Sequence, residues 1–259
     1  MRDDEPPAGY VRFTAGQGNV VCAEHLSAPV RIALQHGTLY AYAEKHPRAR
    51  ALAGRGVAYA APLPGDAEQV VVRHNRHGGM LASLTGDLFL SPTRAPFELR
   101  VSERLRELGV PTPRVLGYAR YPAIAGFERS DVMTREVPES ADLSVALMSP
   151  DARIRHRALH AAAGLVAALE RASARHHDLN VKNILIHQMS AGEVEALVLD
   201  VDRVTFEADA SVVEANLARL LRSARKWQSL HGARVSDGEL DEFTSWVRAG
   251  AANHLATLS

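Results

Sequence analysis

Cysteine is nearly absent from this sequence: Cys22 is the only one among 259 residues. A single cysteine excludes an intramolecular disulfide and a zinc site built on several cysteines, and it fits a reducing compartment. No apolar run approaches the length of a membrane span. The N-terminus is acidic and has no apolar stretch behind it, so it does not have the form of a secretory signal. We therefore expect a cytoplasmic protein.

Lysine and net charge are scarce as well. Lys45, Lys182 and Lys226 are the only lysines among the 30 basic residues, which restricts where a catalytic lysine can lie. The 30 acidic residues bring the formal net charge to +0, so the overall charge predicts no binding to nucleic acid or to an anionic bilayer. A length of 259 residues with 46% hydrophobic residues suits one large domain or two lobes that share a cleft.

The stretch from His176 to Asn183 carries the most informative pattern. His176, Asp178 and Asn183 have the spacing of the kinase catalytic loop, H-x-D-L-x-x-x-N. In that pattern the Asp accepts or orients the proton of the acceptor hydroxyl, and the Asn holds magnesium. These three residues are therefore the catalytic candidates. An aspartate before a strand is, by itself, more simply a turn residue, and the combination of features favours a kinase.

A second carboxylate follows the next apolar strand. Leu197-Val198-Leu199 runs directly into Asp200. One short loop and the end of a neighbouring strand would then supply an amide oxygen and a carboxylate, and Mg²⁺ prefers such oxygen ligands. The sequence predicts a magnesium site formed by Asn183 and Asp200.

The N-terminal half contains candidates for nucleotide binding. Gly54 and Gly56 lie in a turn between two apolar runs, and the backbone N–H groups of such a loop could cover phosphates. An ordinary hairpin turn is the alternative. The strand Val70-Val71-Val72 ends at Arg73, where protein kinases carry a phosphate-binding lysine. Arg73 is the candidate replacement, and an exposed strand-end arginine is the alternative.

A helix is predicted after this strand. Phe97, Val101, Leu105 and Leu108 recur at helical spacing, and Gly109 marks the stop. In kinases this helix supplies a glutamate that pairs with the strand lysine. Glu98 and Glu103 are the candidates, and we favour Glu98. Residues 10–46 are ambiguous between helix and strand, and we interpret them as an extension packed on the N-terminal lobe.

The second half of the chain is predicted to be mainly helical. Thr134 to Val137 leave a strand where kinases bind adenine through backbone groups, so this segment is the candidate adenine site. Ser149-Pro150-Asp151 is interpreted as a helix start. Three buried stripes are expected: Ile154, Ala158, Ala162, Leu165 and Leu169; Val213, Leu217, Leu220, Ala224 and Trp227; and Leu240, Phe243 and Val247 behind Ser236.

Taken together, these motifs resemble the lipopolysaccharide kinase family. The resemblance extends over roughly residues 50 to 225, and its most specific pieces are Val72-Arg73-His74, Arg76-His77-Gly78-Gly79 and Leu199-Asp200-Val201-Asp202-Arg203. It implies an α+β, protein-kinase-like fold of two lobes with the active site between them. The small β-rich lobe would comprise residues 1–137 with the N-terminal extension, and the helical lobe residues 138–259 of the same single domain.

The resemblance also implies the chemistry. It points to ATP- and Mg²⁺-dependent transfer to the 4-hydroxyl of 3-deoxy-D-manno-octulosonic acid (Kdo) on a lipid A precursor, at the cytoplasmic face of the inner membrane. Arg76, His77 and Arg203 are then candidates to bind the acidic acceptor. Contact with the membrane would be peripheral. A kinase of another acceptor, such as a core heptose, a small molecule or a protein serine, and an inactive pseudokinase that serves as a binding module remain alternatives.

Overall fold

The computed structural model of the chain describes residues 5–52, 57–74, 89–90, 94–123, 127–189, 192–207 and 212–257. The chain divides into two compact units. Unit 1 comprises Met1–Glu103 and Arg114–Glu136, and unit 2 comprises Arg104–Pro113 and Val137–Ser259. Both helices and strands are present, which confirms the predicted α+β composition.

An antiparallel sheet of eight strands organises the described part of unit 1. The strands are β1 (Tyr10–Ala15), β2 (Gly18–Ala23), β3 (Arg50–Leu52), β4 (Ala58–Pro62), β5 (Gln69–His74), β6 (Phe89–Leu90), β7 (Val115–Pro122) and β8 (Phe127–Arg135). Their order is β1-β2-β7-β8-β5-β4-β3, with β6 paired to β8 off this path. The antiparallel pairing of β3 with β4 and the position of β5 confirm the predicted hairpin and the strand that ends near Arg73.

Residues 10–46 are an integral part of this sheet and its core. The β1–β2 hairpin joins the sheet because β2 pairs with β7. Two short helices follow, α1 (Ser27–Ala33) and α2 (Leu39–Lys45), and their apolar residues are buried in one cluster with those of β2, β5 and β8. The Thr38 side chain caps α2 by accepting the N–H of Ala41 at 3.1 Å. Residues 10–46 therefore form part of the sheet and of the buried core of unit 1.

Helix α3 (Ala95–Glu107) confirms the predicted helix and its stop. Gly109 adopts a left-handed φ of 74°, and the N–H of Val110 returns to the carbonyl of Leu105 at 2.9 Å, so the chain leaves the helix there. Of the residues at helical spacing, Val101 and Leu105 are buried, whereas Phe97 is 42% exposed. Ala95, Leu99 and Ser102 are buried as well, so Phe97 lies outside the buried face.

Unit 2 combines two small antiparallel sheets with helices. Strands β9 (Ser140–Asp142), β11 (Ile184–Gln188) and β12 (Val194–Val198) lie in the order β12-β11-β9, and β10 (Ala174–His176) pairs with β13 (Val204–Phe206). The helices are α4 (Leu143–Met148), α5 (Ala152–Arg171), α6 (Val212–His231) and α7 (Asp237–Thr257). The loop of residues 177–183, which contains the predicted catalytic residues Asp178 and Asn183, therefore connects β10 of one small sheet to β11 of the other.

Helix α5 agrees with the predicted stripe except at its beginning. Ala158, Ala162, Leu165 and Leu169 are buried, whereas Ile154 is 40% exposed because the first turn of the helix lies beyond the core. The cap also differs from the sequence pattern, which placed Ser149 at the cap and Asp151 in the first turn. Asp151 is itself the N-cap, and its carboxylate accepts the N–H of Arg153 at 2.8 Å.

The last two helices confirm their predicted faces almost completely. In α6 the stripe is buried except for Trp227, which is half-buried. In α7 Leu240, Phe243 and Val247 are buried. Ser236 and Glu239 form a capping box, with the Glu239 N–H donating to Ser236 Oγ at 3.2 Å and the Ser236 N–H donating to Glu239 Oε2 at 2.7 Å. None of the helices that the structure describes has the length and apolar character that a membrane crossing requires.

Candidate active site

Arg73 and Glu98 form an ion pair in unit 1, as predicted. Arg73 lies in β5 and Glu98 in the first turn of α3, and the guanidinium Nη2 contacts the carboxylate Oε1. The Glu98 side chain is only 4% exposed, while that of Arg73 is 30% exposed. The buried carboxylate of Glu98 therefore holds the guanidinium of the more exposed Arg73. Contact of Arg73 and Glu98 with nucleotide stays a prediction.

The other candidates of the N-terminal half are placed less completely. Gly54, Gly56, Arg76 and His77 lie outside the described residues. Thr134 lies within β8 between β5 and β7, opposite Val71 and Val115.

A strand in the interior of a sheet uses its backbone groups for its neighbours, which makes Thr134 a poor site for adenine. Val137 follows the end of β8, and its carbonyl accepts the Ser140 hydroxyl at 2.7 Å. Of the two named positions, only Val137 lies beyond the strand.

His176 is fully buried in unit 2, and its contacts define its tautomer. The ring Nδ1 lies 3.1 Å from the backbone N–H of Asp178 and Nε2 lies 2.9 Å from the carbonyl oxygen of Leu199. Because a carbonyl only accepts, Nε2 carries the hydrogen and Nδ1 accepts. His176 was predicted as a catalytic residue, but a buried ring with both nitrogens bonded positions the loop and does not reach a substrate.

Asn216 on α6 holds the strand that leads into this loop, and the sequence interpretation missed it. Its Oδ1 accepts the His176 N–H at 3.0 Å, and its Nδ2 donates to the Ala174 carbonyl at 3.0 Å. Asn216 is fully buried. A signal was present in the sequence, since Asn216 lies three residues after Val213 on the apolar stripe of α6, where an amide needs buried partners.

The backbone of Asp178 is held at three points. Its N–H donates to His176, and its carbonyl accepts the side-chain amides of Asn180 at 2.8 Å and of Asn183 at 2.9 Å. Asp178 itself is half-buried. The loop therefore fixes the point from which this carboxylate projects, which is the requirement for a group that must orient a hydroxyl.

Asn183 holds Asp178 through its side chain and contacts Leu199, the residue before Asp200, through its backbone. Its Nδ2 faces the Asp178 carbonyl, which can only accept, so Oδ1 must face the other way. Within the described part of the chain, Oδ1 has no hydrogen-bond partner. The N–H of Leu199 donates to the Asn183 carbonyl at 2.9 Å, and this contact brings the residue before Asp200 against Asn183.

Asp200 turns sharply out of the strand end. It adopts the left-handed region with φ 53° and ψ 45° and begins the short 3₁₀ turn Val201–Arg203. Aspartate tolerates this conformation better than most residues, and strained positions concentrate at functional sites. Asn183 and Asp200 lie on chain segments joined by the Leu199–Asn183 backbone hydrogen bond, and their side-chain oxygens could hold Mg²⁺, which takes one or two protein ligands beside phosphates and water. The described residues contain no cluster of three or more His, Cys, Asp or Glu side chains suited to a metal.

Arg203, the third acceptor candidate, lies at the end of the same 3₁₀ turn. Its side chain is 43% exposed, with Nε 3.7 Å from the carboxylate of Asp202. The Arg203 carbonyl accepts the N–H of His177 at 2.9 Å, so the turn and the catalytic loop are joined. A backbone hydrogen bond therefore joins Arg203 to His177, the residue before Asp178, and the Arg203 side chain is half-exposed.

We expect the burial of His176 to make the fold sensitive to acid. Burial lowers the pKa of His176 below its ordinary value of 6.5. The unfolded chain then binds a proton at pH values where the folded chain does not, so stability is lost as the pH falls from about 6.5 towards the folded-state pKa. Thermal unfolding between about pH 7 and about pH 5 should show a steeper loss for the wild type than for His176→Gln, which cannot titrate.

His160→Gln is the matched control for this measurement, because His160 is an exposed histidine on α5. We expect it to keep the wild-type slope. Equal slopes for the wild type and His176→Gln would contradict the assignment of a neutral buried His176.

Comparison with known proteins places this geometry in a family. The profile of the family described as "Lipopolysaccharide kinase (Kdo/WaaP) family" matches residues 48–241. A 3-deoxy-D-manno-octulosonic acid kinase of Xylella fastidiosa is 30% identical over 187 residues, covering 69% of this chain and 70% of the relative. The kinase of the same name from Actinobacillus succinogenes is 29% identical over 172 residues, covering 65% of this chain and 70% of the relative.

A solved structure supports the fold. The structure titled "WaaP in complex with acyl carrier protein" superposes with a TM-score of 0.53 at 17% sequence identity and covers 89% of this chain and 88% of its own. At this identity the likeness concerns the fold alone. It agrees with a kinase-like arrangement of helices and strands.

Proposed function

This chain belongs to the lipopolysaccharide kinase (Kdo/WaaP) family and is a phosphotransferase, and from that premise we propose that it phosphorylates the 4-hydroxyl of Kdo on a lipid A precursor. The γ-phosphoryl group would come from ATP. The observation that carries the proposal is the built catalytic loop, in which His176 and Asn183 hold the backbone of Asp178 and a backbone hydrogen bond joins Asn183 to Leu199, the residue before Asp200.

The residues of unit 2 have distinct parts in this reaction. The acceptor oxygen bonds to the γ-phosphorus, the bond to the bridging oxygen of ADP breaks with its electron pair, and the hydroxyl proton passes to Asp178. Asn183 and Asp200 would hold Mg²⁺, which when bound neutralises charge on the phosphates. In unit 1, Arg73 would bind nucleotide phosphate, with Glu98 directing its guanidinium.

The chemistry of the acceptor fits the basic candidates. Kdo carries a carboxylate and its lipid anchor carries phosphates, and arginine binds both through its planar fork. Arg203 supports this part of the proposal because it is half-exposed beside the catalytic loop. Arg76 and His77 are proposed on sequence alone. A two-lobed arrangement, with both units serving one nucleotide, belongs to the same proposal, as does peripheral attachment to the cytoplasmic face of the inner membrane.

The acceptor can be identified directly. The protein is incubated with labelled ATP, Mg²⁺ and either a Kdo-bearing lipid A precursor or the same precursor without Kdo. We expect label only in the Kdo-bearing lipid, and none with Asp178→Ala. Label in both lipids would point to another sugar or phosphate position, and label in a soluble metabolite or a protein would replace the Kdo assignment. Absence of any transfer together with absence of ATP binding would favour a pseudokinase.

A further inference from the structure

Residues 10–46 precede the part of the chain that matches the family, residues 48–241, and take no part in the reaction proposed above. They contact both elements that carry the Arg73–Glu98 pair, namely β5 and α3. We infer that this N-terminal segment is a brace that positions the pair for nucleotide binding. The inference rests on the proposed function, since it takes Arg73 to be a phosphate-binding residue. The brace has two contacts, one on each element.

The first contact lies beneath β5 and is centred on Asp131, which is fully buried in β8. His74, the residue after Arg73, places its Nδ1 2.5 Å from Asp131 Oδ1. The backbone N–H of Tyr40 in α2 donates to Asp131 Oδ2 at 2.9 Å. The Tyr40 ring also stacks on the His74 ring, with centroids 3.7 Å apart. A residue of the N-terminal segment therefore holds the end of β5 both directly and through a shared carboxylate.

Tyr121 strengthens the same contact. Its hydroxyl accepts the N–H of Leu39, the first residue of α2, at 2.8 Å. Burial, followed by the negative charge of Asp131, raises the pKa of Tyr121 far above its ordinary range, so the hydroxyl stays protonated. Asp131 itself accepts two bonds, one from the His74 ring and one from the backbone N–H of Tyr40. A buried carboxylate satisfied in this way fixes the relative position of its donors.

The second contact lies on α3, which carries Glu98. Tyr10 in β1 is buried, and its hydroxyl lies 2.7 Å from the carbonyl oxygen of Val115 and 3.0 Å from Oε1 of Glu103. Arg114 Nε donates to the same hydroxyl at 3.3 Å. Glu103 is five residues after Glu98 in α3. The first strand of the segment therefore attaches to the helix that supplies the carboxylate of the pair.

Positioning matters here because Arg73 is proposed to bind a nucleotide phosphate while Glu98 holds its guanidinium. The guanidinium must then meet the phosphate at hydrogen-bond distance. A displacement of about 1 Å in a positioning element can cost on the order of a hundredfold in rate. A brace that fixes β5 and α3 would therefore act on nucleotide affinity, whereas a merely stabilising segment would change the melting temperature alone.

A matched pair of substitutions at His74 tests this inference. His74→Phe keeps a ring for Tyr40 but removes the donor to Asp131, and His74→Asn keeps an N–H donor for Asp131 but removes the ring. ATP affinity is measured directly, without an acceptor, at a temperature well below each variant's Tm. We expect His74→Phe to weaken ATP binding about tenfold, the size of one lost hydrogen bond to a charged group. We expect His74→Asn to bind ATP with an affinity close to that of the wild type. Tyr10→Phe should weaken binding in the same direction.

Phe13→Leu is the control, because Phe13 lies in β1 and packs under the guanidinium of Arg31, away from the pair. This variant should keep the wild-type affinity for ATP even if its Tm changes. Folded His74→Phe and Tyr10→Phe proteins with wild-type affinity would overturn the brace. If His74→Phe does not fold, Tyr10→Phe decides in the same way. A wild type that binds no ATP would instead overturn the proposed function.

Discussion

Asp178→Ala is expected to lower turnover by on the order of a thousandfold or more, with ATP affinity close to the wild-type value. The substitution removes the carboxylate that is proposed to orient the acceptor hydroxyl and take its proton. Nucleotide affinity should survive because the backbone of residue 178, which His176 and Asn183 hold, is unchanged by truncating its side chain. Turnover and ATP affinity are measured on the same preparation.

Asp178→Asn is the matched variant for this test. It preserves the size of the side chain and can still donate or accept a hydrogen bond, but it cannot take a proton at neutral pH. We expect it to be nearly as inactive as Asp178→Ala. An Asn variant with near-normal turnover would reduce Asp178 to an orienting group, and an Ala variant with near-normal turnover would remove it from the mechanism.

The second large effect concerns Mg²⁺. Asn183→Ala and Asp200→Asn should each raise the concentration of Mg²⁺ needed for half-maximal activity, by about tenfold or more, because Mg²⁺ tolerates the loss of an oxygen ligand poorly. Asp200→Asn should have the larger effect, since it removes a negative charge. Asparagine is chosen at position 200 because it also adopts the left-handed backbone, so the turn after β12 should persist.

Asp202→Ala is the control for the Mg²⁺ titration. Asp202 lies in the same 3₁₀ turn and its carboxylate is 3.7 Å from Arg203, so the variant changes local charge without touching the two proposed ligands. Its titration should superimpose on that of the wild type. Superimposed curves for Asn183→Ala and Asp200→Asn would remove both residues from the metal site.

The catalytic loop and most helix faces could be predicted because their signals are local. The spacing of His176, Asp178 and Asn183 is contained in eight consecutive residues, and the stripe of α7 follows a fixed period. The error at Ile154 occurred where tertiary context decides. Ile154 belongs to an amphipathic pattern, but it lies in the first turn of α5 and is 40% exposed.

The brace could not be predicted, because it depends on contacts between distant parts of the chain. Tyr10 meets Glu103 across 93 residues and Tyr40 meets Asp131 across 91 residues. No periodicity or motif encodes such pairings. Asn216 is an intermediate case, since its position on an apolar stripe marked it as buried without revealing that it holds His176 and Ala174.

The end of β5 should tolerate substitutions better than insertions or deletions. Arg73 and His74 are consecutive, so their side chains project from opposite faces of the sheet, one towards Glu98 and the other towards Asp131. A substitution alters one face at a time. Deleting a single residue such as Val71 would slip the strand register and turn Arg73 towards the buried carboxylate of Asp131. Strand length is therefore constrained more tightly here than residue identity, and homologues or engineered variants should differ at β5 by substitution while insertions and deletions collect in the loops.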